Sequence, residues 1–414
     1  MKRILLKNIA SLAAVQGGNY IIPLITLPYL VKSLGPYSYG VLGFSLAVIQ
    51  YFNIIINYGF NLSATQKIAL NSNDRNEVSK VFWNVISCQL LLLLLCSVIL
   101  LLTLAASDLL RQQFVIILSG MGVLIGNILF PVWLYQGKES MSLSSFINIT
   151  SRLLSIPLIF NFVKTSEDAW VAALIMSATS FMGGLISVII IIKGRWITWH
   201  KIKVKEIQHQ FSDGWYLFLS TAAVNIYTSS ITLLLGFICG PLVVGYFVAA
   251  DKLRLAAQGL LIPISQACYP RVVTMLANNK KEGLEFIRRL LFIQGGLGLL
   301  IGIGIFFFSS YIIEFLYGND YNESKQVLMI LSVCPFLIAL SNIFGVHVMS
   351  VLGYKKKFFT ILTFASFICL VILYPLSKVY SENGAALTVV ASEVLVTILM
   401  FRFIKKEKIL NGVR

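Results

Sequence analysis

Long apolar runs separated by short polar breaks extend along the whole chain. A helix rising 1.5 Å per residue needs about twenty such residues to cross a hydrocarbon core of about 30 Å. The pattern predicts twelve transmembrane helices. Six lie near 8–31, 39–62, 81–104, 113–135, 142–163 and 169–192; six more lie near 214–238, 242–268, 290–309, 325–350, 358–377 and 385–403. The breaks are mostly short, as between antiparallel neighbours. The two largest, near 193–213 and 269–289, read as amphipathic, with a short surface helix expected in "YPRVVTMLANNKKEGLEFIRR". The opening stretch through Val31 is too long and too interrupted for a cleaved secretory leader and reads as a retained first span.

Composition agrees with lipid as the main solvent. Of 414 residues, 57% are apolar and only 12% charged, where a soluble domain has about 25% charged; the mean hydropathy is +0.84. The fold class is therefore all-α polytopic membrane protein. A net charge of +16 would point to nucleic acid in a soluble chain, but here topology explains it. With the amino terminus placed in the cytoplasm, the alternate segments on the other side hold only Lys32, Arg111, Lys164, Lys325 and Lys378. The remaining loop cations, including the runs "KGRWITWHKIKVK" and "YKKKF", then lie inside, as the positive-inside rule requires. Both termini are expected in the cytoplasm, with these runs against anionic lipid and no nucleic-acid partner. The six cysteines are scattered without CxxC spacing, so neither a disulfide framework nor a zinc site is expected.

A short echo divides the chain. "GPYSYG" at 35–40 follows the first span, and "GPLVVG" at 240–245 follows the seventh. Each Pro ends one helix or opens the next, and each later Gly allows close backbone approach. The echo falls at the same place in a six-plus-six layout. It predicts two pseudo-symmetric bundles, 1–193 and 214–414, joined by a cytoplasmic linker at 194–213, with substrate near the midplane and alternating access.

Ionisable residues inside spans mark candidate chemistry, because each central cation costs about 2.5–3.5 kcal/mol unless it meets water or a partner. Arg152, Asp251, Lys252, Arg254 and Glu393 are such residues. Two readings stand. Asp251 and Arg254, at i and i+3, pair with each other; or Arg152, Lys252 and Arg254 line a hydrated cavity for an anionic ligand. Polar stripes accompany them: Gln50, Asn53, Asn57 and Asn61; Thr221, Asn225, Thr228 and Thr232; Gln16, Asn19 and Tyr20; Gln258 and Ser265. They read as cavity lining or as hydrogen-bonding glue between helices. Asp251 and Glu393 are candidates for ion coupling, or Glu393 is a neutral structural acid. Pro23, Pro28 and Pro263 are candidate kinks, and His347 is expected to pack. No nucleophile–base set, phosphate-binding glycine loop or metal cluster appears, so no enzyme, cofactor or metal is expected.

Several motifs carry a family resemblance. "LGPYSYG" (34–40) resembles the LGxxxYG signature of bacterial polysaccharide-biosynthesis flippases, and "WLYQGKESM" (133–141) resembles their W-x-x-Q-G-x-E-x-M turn. "YPRV" (269–272) and "GYFVAADKL" (245–253) are similar to two further elements. The sequence is most similar to the O-antigen (Wzx-type) flippases of the MOP superfamily. The resemblance implies a MATE-like fold, V-shaped around a central cavity, that moves an undecaprenyl-diphosphate-linked oligosaccharide from the cytoplasmic to the periplasmic leaflet of the bacterial inner membrane, coupled to protons. It makes Arg152, Lys252 and Arg254 the cavity cations. For such a cargo the stripe residues Gln16, Asn19, Asn53, Asn57 and Asn225 are the expected substrate-binding residues, since sugars need amide and hydroxyl partners. The partners expected are the lipid-linked oligosaccharide, membrane lipids, and polysaccharide polymerase and chain-length regulator proteins; the chain is expected to be a monomer. Two rivals are a drug or small-cation antiporter of the same fold and a membrane polymerase. The polymerase is disfavoured because the longest outer connection, near 310–324, holds Glu314, Asp320 and Glu323 without a paired-acid motif.

Overall fold

The computed structural model describes the backbone of residues 2–407 and 409, and the side chains of these except 2–21, 23, 216–217 and 220–229. The predicted site residues Gln16, Asn19 and Asn225, with Tyr20, Thr221, Tyr227 and Thr228, therefore lie outside the residues whose side chains are described. The described chain is helical, with no strand. Among the described residues, nine helical stretches are long and apolar enough to cross a membrane. Two of them are double. Lys2–Asn57 turns at Gly35 (φ 69°), and Lys355–Lys406 turns at Ser381 (φ 50°). With Val204–Cys239, every one of the twelve expected spans falls on helix. Outward faces carry bare hydrocarbon: Leu94, Leu101 and Leu102 on Arg75–Ala106, and Phe307, Phe308 and Phe315 on Lys280–Tyr317, are all exposed. Only a lipid solvent makes that arrangement favourable; the protein is a multi-pass membrane protein.

The expected surface helix in 269–289 is not a separate element. Ile262–Asn278 ends at Asn279, whose side chain accepts the backbone N–H of Lys281 and of Glu282 and opens Lys280–Tyr317. An asparagine cap therefore cuts the segment into the ends of two membrane helices.

The chain gathers into two compact units, one of Met1–Gly40 with Leu234–Arg414 and one of Val41–Leu233. These follow packing; the division at 194–213 follows the repeat. The first unit contains both Gly-Pro elements. Gly35 (φ 69°, ψ 171°) and Gly240 (φ 85°, ψ 174°) share one backbone conformation, which only glycine adopts without strain. The two elements dock reciprocally. A Cβ on Gly40 would overlap the carbonyl oxygen of Pro241, and a Cβ on Gly245 would overlap that of Pro36. The echo is thus a two-fold contact of backbone on backbone, made possible by two absent side chains.

In the second unit, 194–203 forms a non-helical strap across Arg75–Ala106. Arg75 donates to Ile197 O (2.8 Å), Thr198 N–H to Ser79 Oγ (2.7 Å), and Trp83 Nε1–H to Thr198 O (2.9 Å). Trp83 also meets Trp199 edge to face, 4.7 Å between centroids. At the far end, Glu206 Oε2 takes bonds from Asn84 (3.1 Å) and His200 (3.0 Å). Lys67 then pairs with Asp213 at 2.6 Å. Burial pushes the Glu206 carboxyl up, but the His200 and Asn84 bonds outweigh it and hold the group below its ordinary value. Because the folded carboxylate is favoured, its contribution is present above about pH 4.3, the unfolded value, and is lost as pH falls through the folded one.

Two outcomes follow. Gly40→Ala and Gly245→Ala should each force the two elements apart, costing at least about 1–3 kcal/mol as overpacking does; thermal unfolding of detergent-purified protein measures it, and Gly296→Ala, where a Cβ has open space, should be silent. Below pH 4, hydrogen exchange of 196–206 should accelerate in the native chain, while Glu206→Gln should remove most of that pH dependence.

Candidate functional site

The first unit carries the charged set. Arg254 sits on Pro241–Gly259, the helix that Gly245 seats against Pro36. Two tyrosines and a serine fix this region further. Tyr317 Oη–H donates to Ala249 O (3.1 Å), Tyr321 Oη–H to Val31 O (3.2 Å), and Ser324 Oγ–H to Tyr246 O (2.9 Å). The Arg254 side chain is 9% exposed, and its Nε and Nη2 both lie 2.7 Å from Asp251 Oδ1. Its Nη1 donates to Gln258 Oε1 at 2.9 Å. The i,i+3 pair foreseen as one of two readings is therefore formed, with Gln258 one turn on as a third member. Glu393, from the second arm of Lys355–Lys406, and the buried Cys334 stand within electrostatic reach of Arg254. Tyr39, from the first Gly-Pro element, stands in the same relation to Asp251. Asp251 is bonded to the guanidinium, and Glu393 acts on it only through its charge.

Lys252 does not join this set. One residue on from Asp251, it is turned about 100° around the helix and is exposed. Arg152, in the second unit, is exposed in the last turn of Met141–Leu153, just before the helix is interrupted at Leu154. Ser155 Oγ–H donates to the Arg152 carbonyl there. Of the three predicted cations, buried Arg254 is paired with Asp251, and the other two are exposed.

The second unit carries a neutral set. Asn57 Nδ2 donates to Asn53 O (2.9 Å) and Asn53 Oδ1 (3.1 Å), and Asn53 Nδ2 reaches Gln50 Oε1 (3.5 Å). A fourth member, Asn127, donates from Nδ2 to Asn53 Oδ1 (3.0 Å). Sequence reading missed Asn127, whose only signal is a single amide in the apolar run "LIGNILF". Its position is fixed by small residues. A Cβ on Gly122 or Gly126 would strike Ser177 or Ser180, so Gly122–Leu129 lies tight against Ala169–Lys193. Two tyrosines of the same unit are engaged: Tyr51 Oη bonds Ser230 Oγ, and Tyr58 stacks on Phe218 at 4.6 Å. His347 is buried in the π-helical turn Ile343–Ser350 and bonds Ser265 O (3.2 Å), a packing role as expected.

The family described as Polysaccharide biosynthesis protein matches residues 5–276. A protein of Escherichia coli (strain K12) named as a candidate O-antigen transporter is 40% identical over 408 residues, 98% of this chain and 97% of its own. The chain belongs to the polysaccharide biosynthesis protein family. In fold, this family member is similar to a solved lipid II flippase MurJ in an inward closed conformation, with TM-score 0.73 and 16% identity over 97% of this chain and 89% of the other. It is similar also to an inward-facing MATE family multidrug resistance transporter of the MOP superfamily, with TM-score 0.71 and 15% identity over 95% of each chain. The MOP fold is thereby shared by proteins named for lipid and for drug transport, so fold alone does not choose a cargo.

The charge geometry of this polysaccharide biosynthesis protein generates a test. Asp251→Leu should strand a buried guanidinium and cost about 3–5 kcal/mol, whereas Asp251→Leu with Arg254→Met should recover most of it. Thermal unfolding of the purified single and double variants reads the difference.

Proposed function

We propose that the chain flips a lipid-linked oligosaccharide, an O-antigen or related repeat unit on undecaprenyl diphosphate, from the cytoplasmic to the periplasmic leaflet of the bacterial inner membrane. The observation that carries this reading is the match to an O-antigen transporter relative along 98% of the chain, in a protein with basic and amide side chains at span positions. Both termini lie in the cytoplasm in this reading, as the distribution of Lys and Arg requires. Exposed Arg152 and Lys252 take the diphosphate; the neutral amides, Asn53 and Asn57 with Gln16, Asn19 and Asn225, take sugar hydroxyls. Arg254 serves through its pair: when Glu393 or Asp251 takes a proton, the balance of charge around the guanidinium changes, and the guanidinium becomes available to an anion. That exchange couples proton binding to cargo binding and proton loss to cargo release, in alternating access between the halves 1–193 and 214–414. Outward movement of one negative charge through the full field also gains about 2.3 kcal/mol per 100 mV.

The chain works without catalysis in this reading; polymerase and chain-length regulator proteins act on what it delivers. The rival, export of a cationic drug by the same fold, predicts that acids rather than bases carry the cargo. Deletion should make lipid-linked repeat units accumulate on the inner leaflet and abolish surface polysaccharide. Wild-type chain should restore it, and Arg152→Ala with Lys252→Ala should restore at least about tenfold less, as loss of a charged hydrogen bond implies. Full restoration by that double variant, or drug sensitivity as the only phenotype of deletion, would refute the reading.

A further inference from the structure

The hydrogen-bond arithmetic of the Gln50–Asn53–Asn57–Asn127 network carries an inference about the cargo. A carboxamide has two N–H donors and one carbonyl with two acceptor positions. Asn53 Oδ1 accepts from both Asn57 and Asn127, so it is filled, and Asn57 spends both its N–H groups on Asn53. Asn53 gives one N–H to Gln50. What the network leaves open is therefore definite. Among the described residues, Asn57 Oδ1 and Asn127 Oδ1 accept nothing, while Asn53, Asn127 and Gln50 each retain an N–H. Gln50 is exposed and the other three are half-buried. None of the four bonds an ionised group.

This pattern distinguishes ligand classes. Asn127 has one open N–H and one open Oδ1 on a single planar amide. That is the complement of two adjacent hydroxyls, one accepting and one donating. Asn57 Oδ1 adds an acceptor one side, and the Gln50 amide adds donors on the other. A carboxylate brings acceptors only, so a sugar that carries one in place of a hydroxyl offers one donor fewer and sets negative oxygen against the open carbonyls. We infer that Gln50, Asn53, Asn57 and Asn127 form a subsite for the vicinal hydroxyls of an uncharged sugar, with Asn127 as its specificity-determining residue. The inference rests on the lipid-linked-oligosaccharide reading and narrows it. The subsite is also held stiff, because Asn127 rides on the Gly122–Leu129 helix seated against Ser177 and Ser180. A stiff site discriminates by unpaired polar groups more than by fit.

The test uses the full chain in lipid nanodiscs and three probes: undecaprenyl diphosphate without sugar, with one uncharged hexose, and with one hexuronic acid. Native protein should bind the hexose lipid more tightly than the sugarless one and gain less from the uronic acid, which keeps ring hydroxyls but adds negative oxygen. Asn127→Ala and Gln50→Ala should each cost about tenfold for the hexose lipid, as one lost hydrogen bond of this kind implies, and leave the sugarless lipid unchanged. Asn127→Asp, which keeps the shape and loses the N–H, should behave like Asn127→Ala. Equal loss for hexose and sugarless lipid, no loss for either, or a preference for the uronic acid each overturns the subsite. Native protein that binds none of the three lipids overturns the transport reading itself, a result distinct from the others. Gln50→Ala, at an exposed position, keeps the test decisive if Asn127→Ala unfolds.

Discussion

Two glycines let two carbonyls come within reach of two helices, and much of the first unit is organised around that contact. Gly40 on Pro241 and Gly245 on Pro36 are mutual: each Gly-Pro element supplies the carbonyl that the other's missing side chain admits. In a bilayer there is no hydrophobic force between helices, since lipid is as apolar as leucine; close backbone packing must supply the attraction. The reciprocal contact does so, and it fixes where Pro241–Gly259 begins. Asp251, Arg254 and Gln258 then follow at set phases on that helix.

Phase decides what each charge can do. Asp251 and Arg254 share a face and satisfy one another, while Lys252 between them is turned away and exposed. A buried ion pair adds little to stability because desolvation offsets attraction. Under the proposed function its retention in an apolar helix is that of a charge held in reserve, on which Glu393 also acts through its charge. The four amides of the Asn53 network carry no such cost: each is paired at least once, which lowers the penalty of placing polar atoms in a lipid-facing protein.

Much of this was legible in the sequence, and what escaped it did so for identifiable reasons. All twelve spans were readable, because a hydrocarbon core imposes both length and composition. The Gly-Pro echo was readable as an echo. That its halves touch was not, because period and spacing along a chain carry no information on which distant backbones meet. The Asp251–Arg254 pair follows from i,i+3 spacing alone. The supposed surface helix at 269–289 failed because Asn279 is a strong cap in the middle of an amphipathic pattern, and the amphipathic signal masked it. Asn127 escaped because stripes reveal themselves by repetition, and it is the single amide of its helix. The strap at 194–203 was readable as a basic break but not as a bound one, since Ser79, Trp83 and Asn84 look like ordinary positions on an apolar helix.

The separation of charged and neutral polar chemistry bears on how one fold serves different cargo. The same architecture is seen in proteins named for drug and for lipid transport, so the discriminating elements must be few and local. Two such elements are on view here, the buried Asp251–Arg254 pair in one unit and the amide network around Asn53 in the other. A compact organic cation directed at Asp251 would meet an acid already committed to Arg254. Under the proposed function, the ion pair that looks like an internal stabiliser is also a barrier against such a cation, because admitting it would require breaking the pair and leaving Arg254 buried without its partner.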